Sequence, residues 1–152
     1  MSNPENSDRS FTDKMLIELA RDARANAYAP YSNFSVGAAC RGGSGKTYFG
    51  CNVENASFPA GICAERVAVS SAVAHGERKI SALALAAGPT GCDPITDVTP
   101  CGVCLQFVSE FMDPESKILI ADGVDKYSEY SFKELLPYAF KLENSERKAC
   151  HD

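Results

Sequence analysis

GICAERVAVSSAVAHG (61–76), ISALALAA (80–87) and TPCGVC (99–104) follow one another along the chain. Together they read as helix, strand and the start of another helix. Ala64, Ala68 and Ala72, with Val67 beside them, give a small-residue face to a helix expected over Ile62–His75, and Gly76 caps its end. Residues 80–87 form an unbroken apolar run of strand length, the pattern of a strand covered on both faces. The next helix is expected from Pro100 to about Met112, with Thr99 as N-cap and Pro100 as its first residue.

Working outward, Met15, Leu19, Ala23 and Ala27 recur every four residues, with Leu16 and Ala20 beside them. They mark a helix over about 11–27, capped at Ser10 with Asp13 three residues on and stopped by Pro30. Phe34–Arg41 and Thr47–Val53 flank Gly42-Gly43-Ser44-Gly45-Lys46 and read as a β-hairpin. Gly45-Lys46-Thr47 matches the end of a phosphate-binding loop, but that motif's first glycine would fall on Cys40 and a strand follows it. Beyond the second helix start, Lys117–Ala121 reads as a buried strand, Tyr127–Ser131 as an edge strand and Glu134–Pro137 as one helical turn. The expectation is an α/β chain: one three-layer α/β/α domain over 11–140 on a mixed sheet of about five strands. A polar leader (1–10) and a charged tail (141–152) flank it.

The chain has 152 residues and a formal net charge of −5, with no basic run. A phosphate-backbone partner is therefore disfavoured. No apolar run reaches the roughly 18 residues of a membrane span, and the N-terminus lacks the apolar core of a signal peptide. Seven cysteines, an odd number, without an export signal point to a reducing cytoplasmic setting and to metal binding or burial rather than disulfides.

Cys101 and Cys104 are three apart at a helix start, which places both sulfurs on one face. Cys63 belongs to the first turn of the preceding helix. A helix, a strand and a loop separate them, a crossover able to bring two helix N-termini side by side. Exposed N–H groups and the helix dipole favour thiolates there. Three thiolates hold Zn²⁺ and leave its fourth position open, as in catalytic rather than structural sites. Glu65, two residues after Cys63, is placed to move a proton to and from water at that position. Arg66 is the candidate for compensating the negative charge of three thiolates. Cys-x-Glu followed by Pro-Cys-x-x-Cys is the arrangement of zinc nucleobase deaminases.

A thiol redox module built on Cys101 and Cys104 is a reading from another class. Its motif belongs early in a βαβ unit and beside a tryptophan, and this chain has none. A structural zinc wants a fourth ligand, yet His75 falls at the far end of its helix and His151 in the tail. Cys40, Cys51, Cys92 and Cys150 read as buried or idle.

With these pieces in place the chain resembles the small cytidine deaminases of pyrimidine salvage. The likeness runs from about Leu16 to Phe140. It is carried by Ala27-Tyr28-Ala29-Pro30-Tyr31-Ser32-Asn33-Phe34, Gly50-Cys51-Asn52-Val53-Glu54-Asn55-Ala56-Ser57, Ile62-Cys63-Ala64-Glu65-Arg66, Pro100-Cys101-Gly102-Val103-Cys104 and Glu134-Leu135-Leu136-Pro137-Tyr138-Ala139-Phe140. The resemblance implies a homotetramer with one Zn²⁺ per subunit, held by Cys63, Cys101 and Cys104, and Glu65 as proton shuttle. It implies Asn52 and Glu54 on the ribose hydroxyls, Phe34 against the base and the Ala64 backbone on the base carbonyl. Phe58 and Phe140 are the candidates for completing a neighbour's pocket. The implied reaction is hydrolytic deamination of cytidine and 2′-deoxycytidine. A modified cytosine nucleoside or a cytosine-bearing antibiotic is the alternative substrate. Two features depart from the family: Leu105 stands where an arginine is common, and the loop over Gly88–Val98 is long.

Overall fold

The computed structural model describes residues 4–142, with side chains from residue 13 onward. Residues 1–3 and 143–152 lie outside it, and with them most of the expected tail, Cys150 and His151. The elements run α1 (Pro4–Arg24), β1 (Phe34–Gly42), β2 (Thr47–Cys51), a 3₁₀ turn (Phe58–Ala60), α2 (Ala64–Ala74), β3 (Ile80–Pro89), α3 (Gly102–Val108), β4 (Met112–Asp122), β5 (Lys126–Ser131) and α4 (Phe132–Leu135).

One five-stranded sheet has the order β2-β1-β3-β4-β5. β1 is antiparallel to both β2 and β3, pairing Ala39 with Phe49 and Ala38 with Leu85. β3 and β4 are parallel, with Ala84 opposite Leu119, and β5 returns antiparallel along β4. The expected mixed sheet with helices on both faces is what forms.

Alternation along the strands sorts residues by size onto the two faces. Ala38, Cys40, Leu83, Leu85, Ile118 and Ile120 face α2, α3 and α4 in the main core. Ala39, Ala82, Ala84, Ala86, Leu119 and Ala121 face Leu16, Ile17 and Ala20 of α1. The α1 face is mostly alanine, so this helix lies close to the sheet. Gly37 marks the tightest approach: a Cβ there would stand 2.0 Å from the Ala20 carbonyl oxygen and 2.4 Å from the Arg24 nitrogen. Gly50 has the same role against α2, where a Cβ would stand 2.6 Å from the Val67 side chain. Asp13, 3% exposed, anchors α1 to the sheet through Arg41 at 3.0 Å and Lys117 at 2.8 Å.

Helix boundaries are where the expectations need correction. α1 begins at Pro4, so Ser10 and Asp13 are interior and form no capping box, and the helix enters the stretch expected as a leader. It ends at Arg24 rather than near Ala27, because Ala25, Asn26 and Ala27 donate to carbonyls only three residues back. Tyr28 then donates to Asn52 and pairs with Val53, which also bridges Ile62. α3 is Gly102–Val108, shorter than expected at both ends. Cys101 takes the N-cap position in place of Thr99, and the chain has turned into β4 by Met112. Cys63 is likewise the N-cap of α2, not a residue of its first turn. The short C-terminal helix covers Phe132–Leu135, closed by a capping box between Ser131 and Glu134.

Replacing Gly37 with alanine pits a methyl group against helix backbone, which cannot rotate away. The expected loss is about 2–3 kcal/mol, seen as a fall of roughly 5–10 °C in melting temperature by calorimetry.

Candidate metal centre

β2 and β3 both run antiparallel to β1 and are therefore parallel to each other. α2 follows β2, and α3 follows β3 on the way to its parallel neighbour β4. Both helices pack on the same face of the sheet. Their N-termini consequently emerge at the same end of the sheet, beyond the C-terminal ends of β2 and β3, where open α/β sheets bind ligands.

Each helix presents a cysteine at its N-cap in extended backbone: Cys63 has φ −77° and ψ 152°, Cys101 φ −68° and ψ 163°. Neither side chain caps its own helix, so both sulfurs are free to point outward. Cys104, fully buried in the first turn of α3, supplies the third. The three sulfurs lie within 4.8 Å of one another, the only such cluster of potential metal ligands among the described residues.

Electrostatics show what the cluster lacks. The Cys63 thiol is pulled down to about 5, first by its hydrogen bond with Cys104 and then by the Arg66 guanidinium. The same contact and burial push the Cys104 thiol up. Neighbouring sulfurs cannot all ionise unaided, because each new negative charge opposes the next. A soft divalent cation resolves that conflict, and three thiolates with an open fourth position match Zn²⁺. The Arg66 guanidinium lies beside Cys63 and Cys104, which favour its charged form, and its buried Nε has no hydrogen-bond partner. The donor set thus fits zinc on its own chemistry.

Glu65 is 4% exposed on the first turn of α2, and its carboxyl is raised to about 7, first by burial and also by Cys63. Ala64, beside it, is fully buried. Leu105, where an arginine was the family expectation, is 6% exposed and packs into the main core.

Other expected site residues fall on a neighbouring surface. Glu54 and Phe58 line a cavity of about 370 Å³ with Tyr31, Ser32, Asn55 and Gly61. The Glu54 carboxylate accepts from the Ser32 hydroxyl, from Tyr31 N–H at 2.9 Å and from Ser32 N–H at 3.2 Å. Those bonds hold its carboxyl below the ordinary value. Asn52 bridges to β1: its Oδ1 accepts from Val36 N–H at 2.8 Å and its Nδ2 donates to the Phe34 carbonyl at 2.9 Å. Phe34 opens β1 half-buried. Phe140 is not among the cavity-lining residues and is 68% exposed. Sequence reasoning overlooked Tyr31 and Ser32; the Tyr-Ser-Asn-Phe segment was recognised, but only Phe34 in it was given a role.

The remaining thiols stand apart. Cys40 is buried against the Ala68 carbonyl and pushed up to about 12 by burial. Cys51 contacts the Asn26 carbonyl, and Cys92 is exposed. Cys101 and Cys104 are free thiols. His75 bonds the Ser71 carbonyl and packs on Tyr48, far along α2 from the cysteines.

The sequence model of the cytidine and deoxycytidylate deaminase zinc-binding region matches residues 10–120. The chain is 39% identical over 129 residues to the cytidine deaminase of Sporosarcina psychrophila, spanning 85% of this chain and 91% of that protein. It is 37% identical to the probable cytidine deaminase of Dictyostelium discoideum, over 90% of this chain and 88% of that one. Among solved structures, the cytidine deaminase of Burkholderia pseudomallei superposes with a TM-score of 0.73 at 42% identity, covering 83% of this chain and 97% of the other. The cytidine deaminase of Mycobacterium tuberculosis superposes with a TM-score of 0.69 at 37% identity, over 84% and 96%. The chain therefore belongs to the cytidine and deoxycytidylate deaminase zinc-binding family.

Proposed function

We propose that the chain hydrolytically deaminates cytidine and 2′-deoxycytidine to the uridine forms, releasing ammonia. One observation carries the reading: three sulfurs from two helix N-termini meet within 4.8 Å, with the buried Glu65 carboxylate on the same helix turn. Cys63, Cys101 and Cys104 are the residues that would hold zinc. Bound there, zinc supplies the Lewis acidity that makes water a nucleophile near neutral pH.

The protein's own groups do the rest. Glu65, whose burial raises its proton affinity, takes a proton from the attacking water and passes it to N3 of the base as the C4–O bond forms. It then takes the proton of the C4 hydroxyl and gives it to the exocyclic amine; the C4 carbonyl forms as the C4–N bond breaks and ammonia leaves. Arg66 holds positive charge against the thiolates, a duty Leu105 cannot share. Phe34 packs against the base, and the Ala64 backbone reads its carbonyl. Glu54, kept ionised by Tyr31 and Ser32, accepts from the ribose hydroxyls. Asn52 has one N–H and one lone pair beyond its bonds to β1, and these reach the sugar.

The working form is a homotetramer in the cytoplasm, with no nucleic-acid partner. Phe58, Phe140, Tyr138 and Leu142 are 76%, 68%, 93% and 79% exposed, an apolar surface suited to neighbouring subunits, and Phe58 and Phe140 complete the pockets. No helix among the described residues is long and apolar enough to cross a membrane.

Turnover of cytidine followed by ultraviolet absorbance, with and without a zinc chelator, tests the reading; activity that survives complete metal removal contradicts it. Glu65→Gln should keep its zinc while kcat falls by about three orders of magnitude or more, on the scale of losing a general acid/base and its charge. Arg66→Gln should weaken zinc retention about 10- to 100-fold in a competition titration with a chromophoric chelator, the usual cost of removing a partner of the metal ligands.

A further inference from the structure

Gln106 lies two residues beyond Cys104 on α3, and its side chain is engaged on every side by groups that fix its orientation. Its Oε1 accepts from Phe140 N–H at 3.0 Å, and its Nε2 donates to the Phe140 carbonyl at 2.9 Å. The carboxamide thus pairs with both backbone groups of one residue, as a neighbouring strand would. Ser109 decides which way the amide faces. Its hydroxyl gives its single proton to the Gln106 backbone carbonyl at 2.6 Å, so it can only accept from the amide nitrogen, at 3.3 Å.

The held segment is unusual in what it exposes. Ala139 packs against the main core, while Tyr138, Phe140 and Leu142 project outward. Four-residue α4, the packing of Ala139 and this pairing tie the segment to the rest of the domain. Without Gln106, the Phe140 backbone would lose both of these bonds, and a contact residue whose main chain must first be ordered binds more weakly.

We propose that Gln106 is a positioning residue: it fixes Phe140 for the substrate pocket of a second copy of this chain. This rests on the deaminase reading above. It couples the helix that carries two zinc-site cysteines to an aromatic contact made across a subunit boundary.

Two variants test it in the full-length, zinc-loaded enzyme. Gln106→Met keeps the length and removes both hydrogen bonds; Gln106→Glu keeps an acceptor and removes the donor. Gln106→Met should raise KM for cytidine about tenfold, the scale of losing two neutral hydrogen bonds that order a contact residue, and Gln106→Glu, which loses one of them, should raise it less, with kcat within about twofold in both. Zinc content should be unchanged, and amide exchange at Phe140 should accelerate. Phe140→Ala should raise KM as well, and Gln106→Met added to it should have no further effect. Effects that multiply in the double variant, an unchanged KM in Phe140→Ala, or unaltered exchange at Phe140 in both glutamine variants would each overturn the assignment. The exchange measurement needs no substrate, so it stands apart from the deaminase reading, which fails if the unaltered chain turns over no cytosine nucleoside.

Discussion

The site depends on one constraint: β2 and β3 share β1 as a common antiparallel neighbour, so both point the same way. A helix leaving each strand must begin at the same end of the sheet when both pack on the same face. Two N-caps are thereby held together by the register of three strands rather than by any bond between the cysteines. The small side chains of α2, Ala64, Ala68 and Ala72, let that helix approach the sheet, and Gly50 admits Val67 at close range. Close packing at one end of the molecule translates into sulfur positions at the other.

That arrangement gathers three thiols and one carboxyl at one place. Glu65 and Cys104 are buried, Cys63 is half-buried and Cys101 exposed, and the contacts with Cys104 and Arg66 pull the Cys63 thiol down. A soft divalent cation would hold all three sulfurs as thiolates, which is how a fold built from apolar layers creates affinity for a metal. The surface that carries Glu54 and Asn52 is organised differently. Glu54 and Asn52 are oriented by backbone groups of the segment before β1 and of β1 itself, so sheet and pocket are joined through the same hydrogen bonds.

Strongly patterned elements could be read directly. The apolar run at 80–87 lies within central β3, covered on both faces, and the glycine-rich loop joins a hairpin. Helix ends could not be read so well. Thr99 and Pro100 have the local chemistry of a helix start, yet the cap falls on Cys101, because the sulfur positions and the turn from α3 into β4 set the frame. The end of α1 moved for a similar reason: Tyr28 is drawn into pairing with Val53, a contact about 25 residues away along the chain that no local pattern announces. Glu54 and Asn52 can be singled out as candidates from their own segment, but their hydrogen-bond partners Ser32 and Val36 lie in another part of the sequence.

By itself, the order of residues determined the layer architecture and the metal-binding chemistry and made Glu65 a candidate, because periodicity and the spacing Cys-x-Glu and Cys-x-x-Cys are local properties of a chain. Only the folded sheet decided that Cys63 meets Cys101 and Cys104, that Glu65 is buried, and that Gln106 grips Phe140. Those facts depend on strand order and direction, and pairing between distant segments is set by how whole faces bury one another rather than by any short run of letters.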